Sequence, residues 1–214
     1  MTWEWESDRR ENPLPTERPY SRTLPQGTAM LDQMMARYLY QRRLDYQLAV
    51  TNFWYGSYKA GDDSPRIVIP ATSKIPGNVF WQARAMDDNP KRWQSPHAPR
   101  GDAVIVVWPT DRPTLSAVVE GPMDALAAAG AGVLGVALMG ATPSQEALVL
   151  TATMIHGTIC TVVADQDALQ AAARWTAFLA NVGVRVRMTY SAAYKDLADT
   201  PPAERLGVLS EDGA

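Results

Sequence analysis

Two rhythms and one charge asymmetry predict a two-part fold: a small mixed α+β subdomain followed by a parallel α/β sheet. Beyond residue 112, strand-like runs alternate with helical runs of 8–15 residues, the pattern of successive βα units. Before it, short apolar runs are separated by Gly, Asp-Asp and Pro turns, as in a small antiparallel sheet. Charge divides at the same place: residues 1–112 carry 15 Lys and Arg against 13 Asp and Glu, and residues 113–214 carry 5 against 10. The basic excess concentrates in residues 37–100, with 10 basic and 5 acidic side chains. A basic stretch joined to an acidic one fits a polyanion path leading to a carboxylate site; it also fits two ordinary solvated surfaces.

Residues 1–29 hold Pro13, Pro15, Pro19 and Pro25 with mixed charge and no periodicity, which predicts an extended or flexible arm. Trp3 and Trp5 stand out in it as residues that could dock on the body or on a partner. The mixed subdomain spans residues 30–112. From residue 28 to 50, Met30, Met34, Tyr38, Leu39, Leu44 and Leu48 recur at helical spacing, predicting one helix or two short ones. Strands follow at 53–58, 66–70 and 78–84, then a loop rich in Pro and basic residues, MDDNPKRWQSPHAPRGD, and a buried strand at 103–108. The boundary falls near residues 110–113, and residues 113–214 form the second unit. There the strands are 116–119, 134–139, 158–164 and 184–190. The helices are 122–129, opened by Pro122 after Gly121, then 144–153 capped by Ser144, and the Ala-rich 168–182.

Composition excludes several classes. No apolar run approaches the roughly 18 residues of a membrane span, and the start, MTWEWESDRRENPLP, is too acidic for a signal peptide. Cys160 is the single cysteine, so a disulfide framework, a Cys-rich zinc ribbon and an iron–sulfur cluster are excluded. His97 and His156 have no Ser or Cys in a nucleophile motif beside them, and the 130–135 glycine segment lacks the G-K-[ST] ending of an ATP-binding loop. A cytoplasmic protein is expected, in the host cytoplasm if the chain is phage-encoded.

In a parallel α/β sheet, functional groups gather at the C-terminal strand ends. Glu120 ends SAVVE and is followed by GPMDAL with Asp124; Asp165 and Asp167 end TICTVVADQD; Asp196 and Asp199 follow VRVRMTYSAAYKDLAD. Where the chain leaves the pleat, an Asp-x-Asp can aim both carboxylates at one point, and hard oxygen ligands of this kind suit Mg²⁺ or Mn²⁺. Each feature alone also reads as a helix cap, Asp165 or Asp167 for the helix that follows. Three of them on successive units are harder to explain that way.

The order E-G-x-x-D-A at 120–125, L-M-G-A-T at 138–142, D-x-D at 165–167 and K-D-L-A-D at 195–199 resembles the Toprim domain of topoisomerases, primases and some nucleases. In the first half, YLYQRRLDYQLAVTNFWYGSY is similar to the segment that opens the RNA-polymerase region of bacterial-type DNA primases. RIVIPATSKIPGNVFWQARAMDDNPKRWQSP is similar to that family's R-I-x-x-P-I … G-x-R … P-K-Y-x-x-S-P run. The joint resemblance, over residues 38–199, is to phage- or plasmid-style primases, and it makes the second half a Toprim-like sheet. Three departures are visible. Ala168-Leu169 stands where that family carries a glycine after D-x-D, Gly140-Ala141 replaces a G-T pair with Thr142 one place on, and the K-D-x-D spacing is lengthened at 195–199.

The resemblance implies roles residue by residue. Glu120 would serve as general base or metal ligand, and Asp165 and Asp167 would hold Mg²⁺ or Mn²⁺ on an incoming nucleotide's phosphates, with Asp124 and Asp196 lining the metal site. Arg84 and Lys91 would contact template or nucleotide phosphates, Lys195 would contact phosphate beside the acids, and Lys74 and Arg92 would extend the basic path. Trp93 lies among them in a polar loop, as fit for stacking on a base as for packing. The expected activity is template-directed synthesis of RNA primers on single-stranded DNA from ribonucleoside triphosphates. A replicative helicase is an expected partner, as is a separate zinc-binding module, which one cysteine cannot build. The alternatives are a Toprim metal-dependent nuclease and a non-catalytic module binding single-stranded DNA or a helicase.

Overall fold

The first helical stretch breaks in two because its own polar residues start a helix twice. Asp32 accepts from the Met35 N–H (2.9 Å) and opens α1 (Gln33–Gln41), which buries Met35 and Leu39. The chain then turns through Arg43 at φ 57, and Asp45 accepts from the Leu48 N–H (3.1 Å) to open α2 (Tyr46–Thr51). The computed structural model describes residues 23–57, 64–77, 79–190 and 193–210; Trp3, Trp5 and most of the proline-rich arm lie outside them. Residues 28–30, at the head of the expected helical run, instead form a strand, β1 (Thr28–Met30). The turn at Gly27 (φ 72) delivers them onto a neighbouring strand, and Met30 is 66% exposed, so its place in the helical periodicity is coincidental.

β1 begins a five-stranded antiparallel sheet in sequence order, continued by β2 (Tyr55–Ser57), β3 (Arg66–Pro70), β4 (Trp81–Ala85) and β5 (Trp93–Gln94). The short strand β5 lies inside the expected loop. It is pinned from behind by Arg66, a fully buried guanidinium that donates to the Lys91 carbonyl (3.0 Å), and by the Ala85 N–H on the Arg92 carbonyl (2.9 Å).

The second sheet has the order β10-β9-β7-β8-β6, from β6 (Ile105–Val107), β7 (Leu115–Val119), β8 (Leu134–Ala137), β9 (Ile159–Ala164) and β10 (Val186–Tyr190). Its strands are parallel except for β6, which runs antiparallel along one edge. α3 (Pro122–Gly130) carries the chain from β7 out to β8, and α4 (Gln145–Met154) carries it back past β7 to β9. α5 (Leu169–Asn181) leads on to β10, and α6 (Pro202–Leu209) packs against α3. Ser144 caps α4 through the Ala147 N–H (3.0 Å), as its sequence predicts. The reversal between β7 and β9 is a topological switch point, where open α/β sheets form their clefts.

One apolar cluster runs through both halves, from Leu31, Met35 and Leu39 of the first subdomain to Met123, Leu126 and Leu209 of the second. The backbones also join: Thr72 and Val104 exchange two hydrogen bonds (2.7 and 3.0 Å), and the Asn52 amide binds both the N–H and the carbonyl of Trp108 (2.7 and 2.9 Å). Among the described residues no helix is long and apolar enough to cross a membrane.

α3 lies so close to β8 that only a glycine fits beneath it. A Cβ on Gly135 would stand 2.2 Å from the Ala125 carbonyl oxygen, and Ala125, Ala127 and Ala128 keep the helix side of the contact equally small. Gly135→Ala is therefore expected to lower stability by about 1–3 kcal/mol in urea unfolding, as overpacking does. Gly207→Ala in α6, where nothing lies within 4 Å, is the contrasting control and should leave stability unchanged or raised.

Candidate functional site

The strand ends at the switch point assemble the acidic residues. Glu120 follows the last residue of β7, and Asp165 the last residue of the adjacent strand β9. Neither is spent on a helix. α3 begins at Gly121 and α5 at Ala168, each without a side-chain cap. The capping explanation of Asp165 and Asp167 thus fails in this structure. What holds the turn instead is backbone, the Ala168 N–H donating to the Asp165 carbonyl (2.9 Å).

Asp124, in the first turn of α3, is buried, and its Oδ1 accepts from the Ala198 N–H (2.9 Å). That bond draws the 195–200 segment over the sheet end. Within the segment, Asp196 accepts from the Asp199 N–H (2.8 Å).

A cleft of about 310 Å³ opens here between the two halves. Its acidic wall is Glu120, Asp124, Asp165, Asp196 and Asp199; its cationic wall is Arg42 from the end of α1, Arg84 from β4, Arg92 beside β5, and Lys195. Arg42 and Asp199 form an ion pair across the seam at 3.7 Å. Arg84 donates from Nε to the Tyr38 hydroxyl (3.3 Å) and lays its guanidinium over the Trp93 ring, 5.2 Å from its centre.

The other residues singled out from sequence lie outside the wall. Asp167 is exposed at the rim, near enough to act on the charges of Glu120 and Asp165. Lys91 is exposed behind β5. Lys74 turns elsewhere, its N–H on Asp102 (2.7 Å) and its Nζ on the Thr153 hydroxyl of α4 (3.3 Å). Trp81 packs in the core of the first sheet, and Cys160 is buried mid-strand with its thiol pushed up to about 12 by burial.

The acids feel one another. Burial, reinforced by Asp167, raises the Glu120 carboxyl above its ordinary range. Burial, then the charges of Glu120, Asp196 and Asp167, pushes Asp165 up to about 6, with Lys195 opposing. Burial and Asp196 push Asp124 up to about 8 against the pull of the Ala198 N–H. Three buried or half-buried acids held above their ordinary range by burial first and by neighbouring carboxylates second would gain from a cation. Among the described residues, however, no three His, Cys, Asp or Glu side chains converge tightly enough to cage an ion.

Arg205 of α6 is the residue that sequence reasoning missed. Buried, it donates to the carbonyls of Thr200 (3.0 Å), Ala198 (3.1 Å) and Arg43 (3.0 Å). It thereby ties the 195–200 segment to the turn that carries Arg42. The only local signal was the Pro202 and Glu204 start of a helix, which says nothing of where its Arg points.

Residues 117–200 match the Toprim-like family. The fold is similar to the Escherichia coli primase catalytic core, with a TM-score of 0.57 and 17% identity over 80% of this chain and 68% of that one. It is similar to a DNA primase domain from Pseudomonas aeruginosa, with a TM-score of 0.56 and 18% identity over 80% and 68% of the two chains. A DnaG primase catalytic domain bound to single-stranded DNA gives 0.56 and 15% over 78% and 68%. No curated protein matches the chain. At these identities the likeness is one of fold: a primase-core architecture with a Toprim-like second half.

Two outcomes follow from this geometry. Asp124 and Asp165 hold their protons in the folded chain to about 8 and about 6, whereas an unfolded Asp ionises near pH 4. The contribution of these two groups to metal-free stability is therefore full below about pH 4 and falls away as pH rises through the folded values. Asp124→Asn should flatten the upper part of that fall, between about pH 6 and 8, in urea titrations. Arg205→Met, which strips donors from three carbonyls, should cost at least about 2 kcal/mol by the same assay.

Proposed function

We propose that this chain is a primase-type nucleotidyltransferase, joining ribonucleotides into short primers on a single-stranded DNA template. One observation carries the reading: carboxylates from successive βα units share a cleft with Arg42, Arg84, Arg92 and Lys195, which a polyanion could enter. The primase-core architecture supports it, since fold alone hosts many functions but this site sits at the strand ends where such a fold places chemistry.

The donor set fits Mg²⁺ or Mn²⁺. The ligands are hard oxygens, their raised pKa values come first from burial and then from neighbouring carboxylates that a cation would offset, and Mg²⁺ keeps several waters and needs only one or two carboxylates. Glu120 and Asp165 would hold it, with Asp167 at the rim and Asp124 and Asp196 behind. Bound there, the ion would neutralise charge on the reacting phosphates. The chain's own part is positioning. Arg84 and Arg92 bind phosphates opposite the acids, with Lys91 behind β5 extending the basic path. Lys195 draws a phosphate toward Asp165. Glu120, at the end of β7, serves as ligand of the ion or as the base that takes the proton of the attacking hydroxyl as pyrophosphate leaves. Little covalent work is needed, because phosphoryl transfer depends on alignment and charge neutralisation. A separate zinc-binding module and a replicative helicase belong to the same reading as partners.

Primer synthesis on mixed-sequence single-stranded DNA, with labelled ribonucleotides and Mg²⁺ or Mn²⁺, tests it. Wild type should give short labelled products, and Asp165→Ala/Asp167→Ala should lose at least about a hundredfold in rate, the scale of removing a preorganised electrostatic contact. DNA bound but neither copied nor degraded would overturn the catalytic reading. DNA consumed without any nucleotide requirement would make the protein a nuclease.

A further inference from the structure

We propose that Trp93 is a stacking platform for one unpaired nucleobase at the mouth of the acidic cleft, a role that rests on the nucleic-acid reading above. Trp93 lines the cleft but belongs to none of the apolar clusters among the described residues, and it is 36% exposed; Trp54, Trp81 and Trp175 are nearly fully buried, and Trp108, also exposed, lines a different pocket that holds no acidic residue. Packing therefore does not account for a large aromatic side chain at this position.

The ring is nevertheless held. Its strand, β5, pairs with β4 so that Trp93 lies directly opposite Arg84. The backbone just before it is fastened by the Arg66 guanidinium on the Lys91 carbonyl (3.0 Å) and the Ala85 N–H on the Arg92 carbonyl (2.9 Å), and just after it Gln94 pairs with Ala83. The Arg84 guanidinium covers one face of the indole at 5.2 Å from its centre, and Tyr38 holds that guanidinium through its Nε. A guanidinium can cover only one face of the ring. The other is a flat, polarisable surface, and a base placed on it would continue the stack from Arg84 through Trp93.

The surroundings suit the rest of a nucleotide. The terminal nitrogens of Arg84 and the guanidinium of Arg92 make no ion pair with a carboxylate among the described residues, so both can take phosphate. Glu120 and Asp165 line the same cleft. A base on Trp93 would thus have its phosphate within the arginines and its sugar directed at the acids. Every base has a flat face, so the platform selects for an unstacked, unpaired base and not for its identity. That base could come from the template strand or from a nucleoside triphosphate.

The experiment measures binding of the full chain to three probes: a fluorescent single-stranded oligonucleotide, the same length of abasic strand, and ATP as competitor. Trp93→Ala should weaken the ordinary oligonucleotide at least about fivefold, the lower end for losing one stacked base, while binding the abasic strand like wild type. Trp93→Phe should keep most of the affinity. If the base is the nucleotide's, the loss falls on ATP and spares both strands. Equal loss on ordinary and abasic strands, or no loss on any probe in a variant whose circular dichroism matches wild type, overturns the platform and leaves the wider function standing. Wild type that binds none of the three probes overturns the functional reading and the platform together.

Discussion

Glu120, Asp124, Asp165 and Asp196 repel one another in a half-buried cleft, and much of the molecule is arranged around keeping them there. The parallel strands β7 and β9 deliver two of them to the same edge, and the short helix α3 brings the third. Without a cation, burial first and this repulsion second raise the pKa values of Glu120, Asp165 and Asp124, highest at the enclosed Asp124. Among the described residues no ion pair lies within the acidic wall, and the pair across the cleft is Arg42 with Asp199 at 3.7 Å, so the charge of Glu120, Asp124 and Asp165 stays available to a ligand.

The second constraint is that the cationic wall, Lys195 apart, belongs to the other half of the chain. The cleft therefore exists only while the two halves keep their relative placement, and the placement is overdetermined. A shared apolar cluster, the Thr72–Val104 bridge, the Asn52 amide on Trp108 and Arg205 on Arg43 all cross the seam. Arg205 is the most telling of these, because one buried guanidinium fixes the segment bearing Asp196 and Asp199 and the turn bearing Arg42. Its donors go to neutral carbonyls, so it orders the site by hydrogen bonds while its charge also acts on Asp124 and Asp196.

The same economy operates on the basic side. Arg66 is fully buried and holds β5 by its backbone, leaving Arg84 and Arg92 to face the cleft. Two buried arginines, one per half, thus act as scaffolding for exposed charge on either wall.

Much of the fold was legible along the chain. Alternation of strand and helix, Pro122 after Gly121, Ser144 as a cap and acids at strand ends are local signals, each expressed within a few residues. So the parallel strands, helices α3 to α5 and the list of acids could be read directly, and the polar residues Asp32 and Asp45 divide α1 from α2 by the same local chemistry. The helix α6 was not read, and β6, expected in the first subdomain, pairs with β8 in the second sheet. What could not be read was contact between segments distant in sequence. Periodicity tells which side of an element faces inward but not which element it meets. Hence β1 was hidden in a helical pattern. The return of the chain past β7, which sets Asp165 beside Glu120, was settled by packing alone. So were the bond from Ala198 to Asp124, the reach of Arg205 across the seam and the pairing of Trp93 with Arg84, because each requires backbone and side chains from two elements held at fixed distance by a core formed only in the folded chain.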